Sequence, residues 1–180
     1  MNPKIFLVLT VIGDDRPGLV GELSALISQH QGNWLESSMS QLAGQFAGIV
    51  KIEIEAARAE TIKTALATLA GLKVTAVSAA THPATHPATA PAPARRRMQL
   101  SLVGHDRIGI VREISQTLAR HAANVEKLTT WTSTAAMSAE LLFNAQAQLS
   151  LATNCDPRAL ISELERISDD LMVDLTLDES

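Results

Sequence analysis

One cysteine, Cys155, no tyrosine and two tryptophans are all that 180 residues supply of those types. A single cysteine excludes an internal disulfide and any cysteine-rich zinc site, and it suits a reducing compartment. Long apolar runs are missing as well. Nothing approaches the ~18 consecutive apolar residues of a membrane-spanning helix. The opening "MNPKIFLVLTVIGDD" turns acidic too soon for such a span and lacks the small-residue cleavage site of a secretory signal. It reads as a first strand, no membrane association is expected, and a cytoplasmic location is. Positive charge is not in excess: the formal net charge of −4 leaves no general basic surface, so direct nucleic-acid binding is not expected. No nucleophile-elbow glycine pattern, phosphate loop or metal-ligand spacing occurs, so no enzyme, cofactor or metal site is expected.

What is present is a globular composition, 46% hydrophobic against 19% charged, which argues against a disordered chain. Its middle differs. Residues 80–97, within "AATHPATHPATAPAPARRR", hold Pro83, Pro87, Pro91 and Pro93 and no large apolar side chain before Met98. Such a segment buries too little surface to offset its ordering entropy, and its prolines favour extended geometry. It reads as a linker between a first domain, 1–79, and a second, 98–180, with Arg95, Arg96 and Arg97 as its solvated flank. His82 and His86 would align on a helix, but the prolines remove that helix and with it a metal pair.

The same order of elements is legible on both sides. Lys4 to Ile12 is β-rich. Leu19, Val20, Leu23, Leu26 and Ile27 then mark one helix face, and a strand runs from Asn33 to about Leu42. "AGQF" reads as a turn, and Val50, Ile52 and Ile54 alternate with charged residues as a half-buried strand. Ile62, Leu66 and Leu69 mark a second helix, and "LKVTAVS" a last strand. In the second half the counterparts are Met98 to Val103, a helix with Ile110, Val111, Ile114 and Leu118, and strands at Val125 to Thr134 and Leu141 to Ala147. A helix opened by Asp156 as N-cap and Pro157 in its first turn follows, and Met172 to Leu177 closes the unit. A constant offset of 91 pairs Val50, Ile52 and Ile54 with Leu141, Phe143 and Ala145. Two such halves predict an α+β fold: two ferredoxin-like βαββαβ domains with antiparallel sheets, packed together.

The clearest repeat is "GDDRPGLVGELSALISQHQGN" against "GHDRIGIVREISQTLARHAAN". Identical pairs are Gly13/Gly104, Asp15/Asp106, Arg16/Arg107, Gly18/Gly109, Val20/Val111, Glu22/Glu113, Ser24/Ser115, His30/His121 and Asn33/Asn124. Asp15 and Asp106 suit helix N-caps, and Glu22 and Glu113 complement the positive end of the helix dipole. Asn33 and Asn124 tolerate left-handed geometry at the helix exit. A glycine within a first helical turn costs about 1 kcal/mol relative to alanine, yet it admits close approach to amides that lack intrahelical partners. A small carboxylate could sit there with Arg16 or Arg107 at its rim. A tight turn needing a small residue explains the glycine equally well.

"DDRPGLVGELSALISQHQGN" resembles the signature of the ACT domain, an amino-acid-sensing regulatory module. "HDRIGIVREISQTLARHAAN" is similar to it, with Ile108 where the proline would be and His105 in place of Asp14. The tandem arrangement resembles the glycine cleavage system transcriptional repressor family. This resemblance implies two ACT domains side by side and a homo-oligomer. It implies amino-acid sites formed by Asp15, Arg16, Gly18, Leu19, Val20 and Asn33, and by Asp106, Arg107, Gly109, Ile110, Val111 and Asn124. It further implies a small amino acid, glycine or serine, as effector, and a protein partner, a LysR-type activator of glycine cleavage genes. The alternative is a protein-interaction module with no small-molecule ligand.

Overall fold

A computed structural model describes residues 3–79, 95–135, 139–153, 155–169 and 171–177. The chain divides into two compact units, 1–88 and 89–180. The first runs β1 (Lys4–Asp14), α1 (Leu19–Gln29), β2 (Asn33–Leu42), β3 (Gln45–Glu55), a 3-10 turn at Ala56–Arg58, α2 (Ala59–Ala67) and β4 (Leu72–Ser78). The second runs β5 (Arg95–His105), α3 (Ile110–Arg120), β6 (Asn124–Thr134), β7 (Leu141–Ala152), α4 (Pro157–Glu165) and β8 (Met172–Leu177). Both sheets are antiparallel, in the orders β2-β3-β1-β4 and β6-β7-β5-β8. The βαββαβ reading therefore holds for each unit.

Alternation on the central strands makes the core. Leu7, Leu9 and Val11 of β1 and Val50, Ile52 and Ile54 of β3 turn one way, toward Leu19, Leu23 and Ile27 of α1 and Ile62 and Leu66 of α2. Met98, Leu100 and Leu102, with Phe143 to Leu151 of β7, meet Ile110, Ile114, Leu118, Leu160 and Leu164 in the same way. The opposite sheet faces differ in chemistry. The first exposes Ile12, Ile49 and Val77, whereas Gln99 pairs with Gln148 and Ser101 with Gln146 on the second.

Four expectations need correction. Arg95 to Arg97 lie inside β5, paired with Ala152, Leu151 and Ser150, so they are strand and not the flank of a linker. Residues 80–94 of that linker lie outside the described residues. The hairpin turn in the first unit is Ala43–Gly44 alone, both at positive φ, the twist a two-residue hairpin needs, so Gln45 and Phe46 already belong to β3. Left-handed geometry after α1 and α3 falls on Gln31 and Ala122, not on Asn33 and Asn124.

The fourth correction is the offset itself. It stays at 91 through β2 and β6, whose bulges at Trp34/Glu36 and Val125/Lys127 coincide. On the next strand it becomes 97: Leu9 pairs with Val50 while Leu100 pairs with Ala147, so the equivalents of Val50, Ile52 and Ile54 are Ala147, Leu149 and Leu151. The β6–β7 connection absorbs the six extra residues. Further steps give Val74 and Val173, both paired to the same position of the central strand, an offset of 99.

Candidate functional site

The repeated turn joins the end of the central strand to the first helix. Gly18 and Gly109 are the N-cap residues of α1 and α3, at φ 95° and 92°, and neither helix has a side-chain cap. The left-handed region costs an ordinary residue about 1–2 kcal/mol, which explains the glycine without any ligand. It also corrects Asp15 and Asp106, which sit three residues too early to cap. Their backbone amides instead donate to the Gly44 and Leu141 carbonyls at 2.9 Å, holding the turn to the neighbouring hairpin. The helix ladder starts with Glu22 N–H donating to Gly18 O at 2.9 Å and Glu113 N–H to Gly109 O at 3.1 Å.

Arg16 and Arg107 are bonded to their own helices. Arg16 donates from Nη1 and Nη2 to both carboxylate oxygens of Glu22, at 2.6 and 2.7 Å, and its Nη2 reaches the Ala70 carbonyl at 3.5 Å. Arg107 repeats this with Glu113 at 3.1 and 2.6 Å and with the Ile167 carbonyl at 3.4 Å. The repeated Arg and Glu are thus a two-pronged clasp across the helix start, reaching the loop before the last strand. Asp156 does cap α4 as its sequence predicts, accepting from Arg158 N–H at 2.9 Å. Cys155 beside it is half-buried, and burial, reinforced by the Asp156 charge, pushes its thiol up, away from nucleophilic character.

Gly13 and Gly104 have a packing reason. A Cβ at Gly13 would lie 2.1 Å from the Gly71 carbonyl oxygen, and one at Gly104 would lie 2.8 Å from Leu171 Cδ1. The strand end is pressed against the segment that enters the last strand.

The nominated residues divide accordingly. Asp15, Arg16 and Val20, like Asp106 and Val111, are exposed around the turn, whereas Leu19 and Ile110 are buried, at 2% and 4%, and serve the core. Asn33 and Asn124 do not join the turn of their own unit. Asn33 pairs with Glu53, whereas Asp14 at the turn pairs with Gln45. Eight residues of strand separate them, roughly 25 Å at ~3.3 Å per residue. What sequence reasoning missed is that the hairpin at Gly44 and the loop at Ala70 and Gly71 border the repeated turn. The "AGQF" turn and the glycine that ends the second helix were legible locally, but no local signal brings either to the turn.

Carboxylates paired with cations set the acid behaviour. The Arg16 hydrogen bonds hold Glu22 below the usual glutamate value, and those of Arg107 do the same for Glu113. Glu163 of α4 is lowered by His121, at 2.6 Å, and Arg120, which tie α3 to α4. A depressed folded pKa gives stability that is complete above the unfolded value of about 4.3 and is lost as pH falls through the folded value. The thermal midpoint is therefore expected to drop below about pH 4, by an amount that salt reduces. Glu22→Gln, Glu113→Gln and Glu163→Gln combined should flatten that drop. A drop of equal size in the triple variant, followed by circular dichroism between acid and neutral pH, would assign the acid sensitivity elsewhere.

Residues 5–75 match the ACT domain family. The first unit is an ACT domain. The second repeats the ACT order of elements, strand order and left-handed glycine turn. Among solved structures, an unknown protein from Galdieria sulphuraria is 26% identical, with a TM-score of 0.83, covering 98% of this chain and 99% of that one. A candidate glycine cleavage system transcriptional repressor is 20% identical, with a TM-score of 0.69 over 98% and 99% of the two chains, a likeness of fold. No curated protein matches the chain. Among the described residues no helix is long and apolar enough to cross a membrane, and no group of three or more metal-ligating side chains forms beside either ACT turn.

Proposed function

We propose that the chain is a regulatory protein that responds to a free amino acid and carries out no chemistry of its own. The observation that carries this reading is the twofold occurrence of one turn, in which a left-handed glycine opens a helix whose first amides have no side-chain cap. Such amides, at the positive end of a helix, are suited to a carboxylate. Because Arg16 and Arg107 are held by Glu22 and Glu113, they shape the turn and do not meet the ligand. Likeness to the candidate repressor supports a finer version: control of glycine cleavage genes through a protein partner, a LysR-type activator, with glycine or serine as effector. The domains are joined by the proline-rich 80–94 segment, and the partner surface includes the exposed apolar sheet face of the first unit.

The test introduces a competing negative charge without disturbing the fold. Val20 and Val111 are 46% and 43% exposed, in the first turns of α1 and α3. Val20→Asp and Val111→Asp add a carboxylate where the helix dipole favours one, so stability should hold or rise slightly. In the parent protein an amino acid at ~100 times its dissociation constant should add about 2.7 kcal/mol of stability, and the double variant should lose that gain. If none of the common amino acids shifts the parent's unfolding midpoint, the sensing reading fails. The protein would then be an interaction module without a small-molecule ligand.

A further inference from the structure

The two units differ in how their edge strands meet the core. In the first, Trp34 and Met39 of β2 pack against the core, as does Phe46. In the second, no β6 side chain belongs to the core; Val125 and Leu128 of that strand are exposed. Register makes the comparison residue by residue. Val125 occupies the place of Trp34, Thr130 that of Met39, and Ala147 that of Val50. The exchanges remove an indole for an isopropyl, a thioether chain for a hydroxyethyl group, and two methyls. Leu128 for Ser37 and Ala145 for Gly48 return only part of that volume. What remains is a narrow cleft between α3 and β6, walled by Val111, Ser115, Val125, Leu128, Thr130 and Ala147 and floored by the core. Its walls are almost wholly carbon, with only the Ser115 and Thr130 hydroxyls to hold water. Space of this kind favours an apolar group over solvent.

We propose that this cleft is a side-chain pocket for a branched aliphatic amino acid, so that the second unit selects valine, leucine or isoleucine while the first, filled by its own Trp34 and Met39, admits only the smallest amino acids. Placing the ligand's carboxylate rests on the amino-acid reading above; the selectivity rests on the cleft. The two meet at Val111, in the first turn of α3, which lines the cleft beside Leu118 and Ser115. A carboxylate at the helix start thus leaves its side chain pointing along α3 into the carbon-walled space. In the first unit Trp34 and Met39 occupy the corresponding place and pack against the core.

Calorimetric titration of the full chain with L-leucine, L-isoleucine, L-valine and glycine is the test, repeated on Thr130→Met, which restores the residue the first unit carries. That variant adds apolar contact and leaves the turn untouched, so it should fold. The expected result is binding of a branched aliphatic amino acid at one site per chain, weakened at least tenfold in Thr130→Met, with glycine binding unchanged there. Binding of glycine without any binding of a branched amino acid, or branched-amino-acid binding undiminished in the variant, would overturn the pocket and leave the amino-acid reading standing. Absence of binding by all four, together with no shift of the unfolding midpoint by any other common amino acid, would overturn both. A change of oligomeric mass in Thr130→Met, read by light scattering, without any change in amino-acid binding would assign the cleft to a second copy of the chain.

Discussion

Gly13→Ala is expected to destabilise the first unit by at least about 3 kcal/mol, among the largest effects of a one-carbon change. The added Cβ would sit 2.1 Å from the Gly71 carbonyl oxygen. Relief requires moving backbone, because Gly71 is itself at φ 78° and Ala70 beside it receives the Arg16 clasp. Moving that loop also drags Leu72, a buried residue paired with Gly13 at the start of β4. Gly104→Ala is the internal control. Its Cβ would meet Leu171 Cδ1 at 2.8 Å, with the nearest backbone atom, Leu171 Cα, at 3.4 Å. A leucine side chain can rotate away, so the cost should be clearly smaller. Guanidinium unfolding of the two variants checks the order, and equal costs below 1 kcal/mol would mean that the strand end is not held as described.

Leu9→Ala and Leu100→Ala form the second pair. These residues occupy the same place on the central strands and are 0% and 1% exposed. Truncating a buried leucine costs about 2–5 kcal/mol, depending on how much cavity remains. Leu9 is flanked by Val50 and Ala76, whereas Leu100 is flanked by Ala147 and Leu175 and borders the cleft. A side chain with vacant space on one side has fewer atoms to lose contact with. Leu9→Ala should therefore fall near the top of that range and Leu100→Ala near its bottom. A larger loss for Leu100→Ala would show that the second core is as closely packed as the first.

Most of the fold was legible in the sequence, because strands and helices announce themselves by periods of two and about 3.6 in their apolar residues. Leu7, Leu9 and Val11, or Leu19, Leu23 and Ile27, need no structure to be paired with a face. The repeated turn was legible as a repeat but not as a geometry. Asp15 looks like a cap because capping is defined by distance to the first helical residue, and one left-handed glycine moves that residue three places on. Likewise nothing in the spacing shows that Glu22, the fourth residue of α1, accepts both hydrogen bonds of Arg16, six residues earlier. The change of offset after β6 was invisible for a different reason: alternation has period two, so a shift of six leaves every inward position inward. Pairing Val50 with Leu141 therefore satisfied the pattern while naming the wrong partner.

The contrast between the edge strands also reaches into what the protein can report about itself. There is one indole in each unit and no phenol anywhere in the chain. Ultraviolet emission therefore comes from Trp34, half-buried against the first core, and Trp131, 44% exposed on β6. The shielded indole emits toward shorter wavelength and the solvated one toward longer. With either replaced by phenylalanine, the remaining colour follows a single half of an intact, unlabelled molecule.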